Sequence, residues 1–364
     1  MRRAAIVLLS IVTVVAVALG QGTSTKPLDI YIVDTEGGKA TLFVSPSGQS
    51  LLIDSGNPGG RDTERIMAAV ADARLERIDF LLSTHYHVDH VGGMLELAKR
   101  IPIGHFLDHG PNIEEKEQVA GFEQAYGDLR AKARHTVVQP GFTVPISGLD
   151  WRIVTAGGKA LKVPLTGGGQ PNPVCAQAAR NNARPNENNQ SVGSVITHGR
   201  FRAIDLGDLV WDNELDLMCP NNPVGPVDLY LVSHHGLDSS GSAALVHGVR
   251  PRVAIMQNGT RKGASVPAMQ VLHLAPGLED IWQLHWSHNG ALEHNSAGVF
   301  IANMDDPTAT AAVLTAAPGA GRGGSAAAPH TPAYWIKVSA RTDGTFTVSN
   351  TRNGFSKTYA RRAP

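Results

Sequence analysis

The stretch Ser83-Thr84-His85-Tyr86-His87-Val88-Asp89-His90 constrains this chain more than any other. It follows the apolar run Ile78-Asp79-Phe80-Leu81-Leu82, which reads as a buried strand. Three imidazoles and one carboxylate therefore fall within six residues, where that strand should stop. Side chains alternate in an extended segment, so His85 and His87 point the same way. A turn into helix then lets Asp89 and His90 face the same point from the far side. Imidazole nitrogen and carboxylate oxygen suit zinc, and also iron or manganese. The competing reading, a surface loop rich in histidine, does not account for the flanking strand and the Val91-Gly92-Gly93 turn.

The rest of the composition bounds the class. The chain has 364 residues, 42% hydrophobic and 18% charged, which is globular rather than disordered. Lys and Arg number 32 and Asp and Glu number 32, so no global field favours a stable nucleic-acid partner or an anionic membrane. At the N-terminus Arg2 and Arg3 precede an apolar run from Ala4 to Leu19 and a small Gly20-Gln21-Gly22 segment. That pattern reads as a cleaved signal peptide over residues 1–22, with a secreted or periplasmic product and no membrane span after cleavage. An uncleaved anchor needs about 20 apolar residues, slightly more than this run offers. Cys175 and Cys219 are the two cysteines, and in an oxidising compartment they can close one long loop as a disulfide.

Periodicity sets the organisation. Strands are expected over residues 29–33, 40–44 and 50–54, then an amphipathic helix over 63–73. After the histidine-rich segment come a helix toward Lys99, a strand over 103–107 and a helical segment over 114–134. Residues 157–190 are rich in Gly, Pro, Asn and Ala, and a loop that long in a compact domain calls for a function or a tie. Further strands are expected over 191–197, 201–204, 227–232, 253–256 and 298–301. This alternation makes an α/β main domain over 28–303. An Ala/Gly/Pro-rich loop follows over 304–332, and a C-terminal hairpin over 333–364, too small to bury its own core, should pack on the main domain.

Four ligand-bearing clusters end four separate strands: Asp54, the His85–His90 segment, Asp208, and His234-His235. With Ile53-Asp54-Ser55-Gly56, Thr84 to Gly93, Gly207-Asp208 and Ser233-His234-His235-Gly236, the chain resembles the metallo-β-lactamase-fold hydrolases. In detail it is most similar to the soluble hydrolase domain of DNA-uptake competence proteins, without their membrane helices. The resemblance implies a four-layer αββα sandwich and a dinuclear centre, probed most simply as two zinc ions, with manganese or iron as alternatives. It implies that His85 and His87 hold one metal, that Asp89 and His90 hold the other, and that Asp208 bridges them. One of His234 and His235 completes the second site, with His235 favoured because it directly precedes Gly236. Asp54 would orient a ligand imidazole through its free N–H. Where many members of the superfamily carry a further histidine for the first metal, this chain reads Glu187-Asn188-Asn189-Gln190-Ser191, leaving that pocket one imidazole short, with Asn188, Asn189 or a water as the alternatives to fill it. His285, His288 and His294 could line the substrate cleft or supply the missing ligand, with a structural or merely exposed role the favoured reading, and His198 falls in an expected hairpin turn.

Two metals in such a site would lower the pKa of a bridging water and present hydroxide as the nucleophile, with Asp89 or Asp208 as the proton-handling catalytic groups. The resemblance points to a phosphodiester or related ester as substrate. A lactone or β-lactam uses the same centre, and a non-catalytic metal- or partner-binding module is the alternative of a different class.

Overall fold

The computed structural model describes residues 26–114, 121–304 and 333–362. The expected signal segment over 1–22 lies outside them, as does the expected loop over 304–332 except for Met304. Two nine-stranded sheets make the frame. The first runs, edge to edge, Ser356–Tyr359, Phe346–Asn350, Ile336–Ala340, Leu28–Ile32, Thr41–Val44, Ser50–Ile53, Ile78–Leu82, Ile103–Asp108 and Arg134–Val137. Its last four strands are parallel to one another. The second runs Ile301–Asn303, Asp280–His285, Val253–Met256, Leu229–Leu231, Phe201–Asp205, Gly193–His198, Asp150–Ala156 and Thr143–Val144, with Lys159–Ala160 paired to Asp150–Ala156. Its first five strands are likewise parallel.

Alternation along the strands explains the layering. Leu28, Ile30 and Ile32 face one way into a core shared with Trp151, Ile153 and Leu229 of the other sheet. Their neighbours Tyr31 and Val33 face outward, under the helices Arg61–Asp72 and Met94–Arg100, with Ile66, Val70 and Leu97. The second sheet does the same, its outer face carrying Tyr230 and Ala254 against Leu217, Leu245 and Met269 of the helices Trp211–Met218, Ala243–Val249 and Val266–His273. Each sheet is thus apolar on both faces, which only a helix–sheet–sheet–helix stack can bury. Phe43 and Trp151 meet edge to face across the sheets, with ring centroids 4.8 Å apart. Such a pair adds about 0.5–1.5 kcal/mol beyond its buried area.

The C-terminal strands extend the first sheet instead of forming a separate unit. Ile336–Ala340 pairs antiparallel with Leu28–Ile32, Leu28 opposite Ala340. Trp282 Nε1 donates to Tyr359 Oη (3.0 Å), fastening this tail to the second sheet as well.

Two expectations change. Of the helical segment over 114–134, Phe122–Arg130 is the helix among the described residues, preceded by Gly121 in the left-handed region (φ 70°). The strand expected over 298–301 begins at Ile301, because residues Gly298–Phe300 form a 3₁₀ turn. The long segment over 157–190 carries only the short pairs Lys159–Ala160 and Gln170–Pro171 and two 3₁₀ turns. Cys175 and Cys219 are joined by a disulfide, with Cα atoms 5.7 Å apart. Closing a loop of that sequence separation, 44 residues, restricts the unfolded chain by about 4 kcal/mol in the chain-entropy model. Among the described residues no helix is long and apolar enough to cross a membrane.

Candidate metal centre

Parallel strands of both sheets deliver side chains to one edge. Asp54 follows Ser50–Ile53, and the histidine-rich segment follows Ile78–Leu82. Asp208 lies three residues beyond Phe201–Asp205, and His234 and His235 lie just beyond Leu229–Leu231. Carboxyl ends of parallel strands are where an open α/β sheet leaves room for a site. His87 keeps extended backbone (φ −66°, ψ 149°) as the residue before the helix Val88–Val91, so Asp89 and His90 enter from that helix. Gly207 is required next to Asp208: its φ is +59°, and a Cβ there would meet Thr84 Cβ at 2.7 Å.

The ligand atoms of Asp89, His90, Asp208 and His235 lie within 4.8 Å of one another. His90 Nε2 is 3.2 Å from Asp208 Oδ2 and 3.4 Å from Asp89 Oδ2. His235 Nε2 is 3.3 Å from Asp208 Oδ2 and 3.2 Å from Asp89 Oδ2. His85 Nε2 is 4.0 Å from the same Asp208 oxygen and 3.0 Å from His87 Nδ1. His234 Nε2 is 3.5 Å from the same Asp208 oxygen. Asp89, His90 and His235 thus converge on Asp208, His85 and His234 approach the same carboxylate, and His87 is reached only through His85.

These atoms fit a cation better than one another. His90 Nε2, His235 Nε2 and Asp208 Oδ1 are buried without a hydrogen-bond partner, an arrangement that costs about 1–3 kcal/mol per group unless something else satisfies it. Two ligands about 2.0–2.1 Å from a tetrahedral zinc sit about 3.3 Å apart, the spacing seen around Asp208. The donor set is nitrogen and oxygen with no thiolate, which suits zinc, manganese or iron.

Electrostatics points the same way. Burial alone would raise Asp208, but His235, His90 and His234 outweigh it and hold the carboxyl well below its ordinary range. Burial likewise opposes ionisation of Asp89, and Lys262 and His90 overcome it. Lys262 Nζ contacts Asp89 Oδ2 from the rim. Burial pushes His90 toward its neutral form, yet Asp208, Asp89 and Asp54 together hold it well above the usual value. Burial dominates for His85, well below its usual value, and for His234, pushed down to about 4. Clustered carboxylates demand positive charge here, while the two flanking imidazoles stay neutral and able to ligate.

The outer nitrogens are fixed too. Asp54, fully buried with φ 57°, sets Oδ2 2.7 Å from His90 Nδ1 and accepts from the Thr84 amide (2.8 Å) and hydroxyl (2.7 Å). Burial raises its carboxyl. His235 Nδ1 donates to the Gln257 carbonyl (3.0 Å). Such partners set the tautomer that turns Nε2 inward.

Sequence reasoning passed over Glu187. Its buried carboxylate accepts from the amides of Tyr86 (3.0 Å) and Ile113 (2.7 Å) and lies 3.1 Å from His109 Nε2. Burial opposes its ionisation, but His109 and those two amides hold it below the ordinary value. It thereby ties the backbone between His85 and His87 to the loop before residue 115. Of the two asparagines considered for the missing imidazole, Asn189 is committed to Asn186 and Asn213. Asn188 Nδ2 lies 3.4 Å from His234 Nε2, and its buried Oδ1 has no hydrogen-bond partner. His198 sits away from the centre, by the Gly148 carbonyl, and His285 is 2.7 Å from Asp34 Oδ1.

Residues 34–175 match the family model described as the Metallo-beta-lactamase superfamily. That match covers less than half of the chain, whose paired sheets with outer helices have the metallo-β-lactamase fold. Ribonuclease Z of Methanopyrus kandleri is 36% identical over 110 residues, which are 30% of this chain and 36% of that protein. A UPF0173 metal-dependent hydrolase of Koribacter versatilis is 32% identical over 118 residues, 29% of this chain and 47% of that one. This chain thus spans less than half the length of the curated relatives it matches. Among solved structures, the Zn(2+)-bound PqqB of Methylobacterium extorquens aligns with a TM-score of 0.38 and 13% identity, covering 64% of this chain and 89% of that chain.

Proposed function

We propose that this protein is a secreted or periplasmic metal-dependent hydrolase, acting on a phosphodiester or related ester through two divalent ions, zinc in the first instance. The observation that carries this reading is the convergence of Asp89, His90, Asp208 and His235, with two orphaned imidazole nitrogens and one orphaned carboxylate oxygen. A ribonuclease and a metal-dependent hydrolase among the partial relatives favour hydrolysis, and the ribonuclease favours a phosphodiester. Likeness to the competence-protein hydrolase domain remains part of this proposal.

When bound, a pair of divalent cations lowers the pKa of water and polarises the attacked bond. The chain's own residues do the rest. His85, His87, Asp89, His90, Asp208 and His235 would hold the pair, and Asp54 and Gln257 keep two of the imidazoles turned inward. Asp89 or Asp208 would accept a proton and pass it to the leaving group. Lys262 puts an ammonium at the rim, toward which an anionic group of the substrate can bind. Export rests on the N-terminal Arg2-Arg3 and apolar run and on the Cys175–Cys219 disulfide. N-terminal sequencing of the exported product tests it, with a start near residue 23 expected and an intact Met1 contradicting it.

The activity is tested by comparing bis-p-nitrophenyl phosphate with a lactone and nitrocefin on metal-loaded protein. Turnover of the phosphodiester, abolished in His87→Ala and Asp208→Ala with unchanged circular dichroism, is expected. Turnover of only the lactone or the β-lactam would overturn the substrate, and full activity in both variants would overturn the centre.

A further inference from the structure

The paired histidines at the end of Leu229–Leu231 do more than offer a choice between ligands. Consecutive side chains on regular extended backbone point to opposite sides. Here both residues take left-handed backbone, His234 at φ 52° and His235 at φ 57°, a conformation uncommon outside glycine that persists where its surroundings hold it. Gly263 packs against the second of them so closely that a Cβ there would lie 1.8 Å from the His235 carbonyl. The result is that both imidazoles approach Asp208 Oδ2, at 3.5 and 3.3 Å, with ring centroids 6.1 Å apart.

Their other neighbours differ. His235 Nε2 has Asp89 Oδ2 at 3.2 Å, in the tight pocket with His90. His234 Nε2 has Asn188 Nδ2 at 3.4 Å, and its Nδ1 is held by the hydroxyls of Ser239 (2.9 Å) and Ser240 (3.1 Å). The serine hydroxyls can accept from Nδ1–H, and the donor Asn188 Nδ2 calls for a lone pair on Nε2; for His235 the Gln257 carbonyl, which only accepts, requires the same tautomer. His85, whose Nε2 faces His87 Nδ1 at 3.0 Å, approaches the same Asp208 oxygen. The histidine pair that the sequence leaves one imidazole short thus shares its Asp208 oxygen with an imidazole supplied from the second sheet.

We propose that His234 completes the pocket of His85 and His87 while His235 completes that of Asp89 and His90, so that neighbouring residues serve different ions on either side of Asp208. This rests on the two-ion reading above. Asn188 is then a neighbour of the ligand and not a ligand itself.

The test is a zinc titration of the metal-free protein, followed by elemental analysis and by ¹⁵N-histidine NMR of the wild-type chain. Two equivalents are expected, with the His235 Nε2 resonance moving at the first and the His234 Nε2 resonance at the second. His234→Ala should retain one equivalent tightly and hold the second at least about 100-fold more weakly, whereas Asn188→Ala should retain both. An unmoved His234 resonance in a wild-type chain that holds two ions overturns the assignment. So does loss of an ion in Asn188→Ala without loss in His234→Ala. Fewer than two ions in the wild-type chain would instead remove the two-ion reading beneath it.

Discussion

The two flanks of Asp208 are built to different standards. On one, Asp89 is 16% exposed beside Lys262, but the imidazoles of His90 and His235 are 0% and 1% exposed, and each outer nitrogen is engaged by Asp54 or by the Gln257 carbonyl. On the other, His85 is buried as well, but His87 and His234 are 18% and 13% exposed, His87 turns Nε2 toward Glu114 (3.2 Å), and His234 leans on two serines. The difference teaches a division of labour. Rigidly supported ligands favour tight binding because little freedom is left to lose, while an open flank admits a substrate. The closed flank should fill first and the open flank should face the reacting bond.

Removing Asp54 attacks the closed flank from behind. Asp54→Ala frees His90 Nδ1 and orphans the Thr84 amide, and we expect metal affinity there to fall about 10–100-fold, measured by competition with a chromophoric chelator. Equal weakening of both ions would break the distinction. A smaller effect is expected from Glu187→Gln, which keeps the shape but loses the charge that anchors the Tyr86 and Ile113 amides. The open-flank ion should weaken by about 10-fold and the closed-flank ion should not change, as read by the two steps of the same titration. A change confined to the first step would reverse the roles assigned here.

The smallest effect concerns pH. Glu214 is fully buried and accepts from the amides of Gly241 and Ser242, both at 2.7 Å, closing the loop that carries Ser239 and Ser240. Burial pushes its carboxyl up to about 7. A carboxyl raised on folding binds its proton more tightly in the native state. Its contribution is therefore full below the ordinary carboxylate range and is lost as pH rises through about 7. Urea unfolding of metal-free protein between pH 5 and 8 should lose stability over that window, and Glu214→Gln should flatten the loss. Parallel curves for the two proteins would show that Glu214 does not titrate there.

What the sequence disclosed follows the same divide. The candidate ligands of the first sheet lie in one short segment with a strand before it, so spacing alone brings His85, His87, Asp89 and His90 together. Asp54, Asp208 and His235 were legible as carboxylates or imidazoles that end strands beside glycine. Glu187 was not, because its role is to accept from a backbone amide 101 residues away, and residue type gives no trace of such a contact. It also lies in a loop whose Gly, Pro and Asn content shows only that regular structure is missing. The joint positions of His234 and His235 depend on two positive φ angles, which histidine does not advertise. The C-terminal strands were recognisable one by one, but their register on Leu28–Ile32 comes from faces meeting across some three hundred residues of chain.

The central claim is that Asp208 is shared by two ions. Electron paramagnetic resonance of the protein loaded with Mn(II) tests it directly, since ions bridged at about 3.5–4 Å couple magnetically. One equivalent should give an isolated six-line signal, and a second should replace it with the broadened spectrum of a coupled pair, absent in Asp208→Ala. Two equivalents that give two independent six-line signals, or a coupled spectrum that survives Asp208→Ala, would contradict the account.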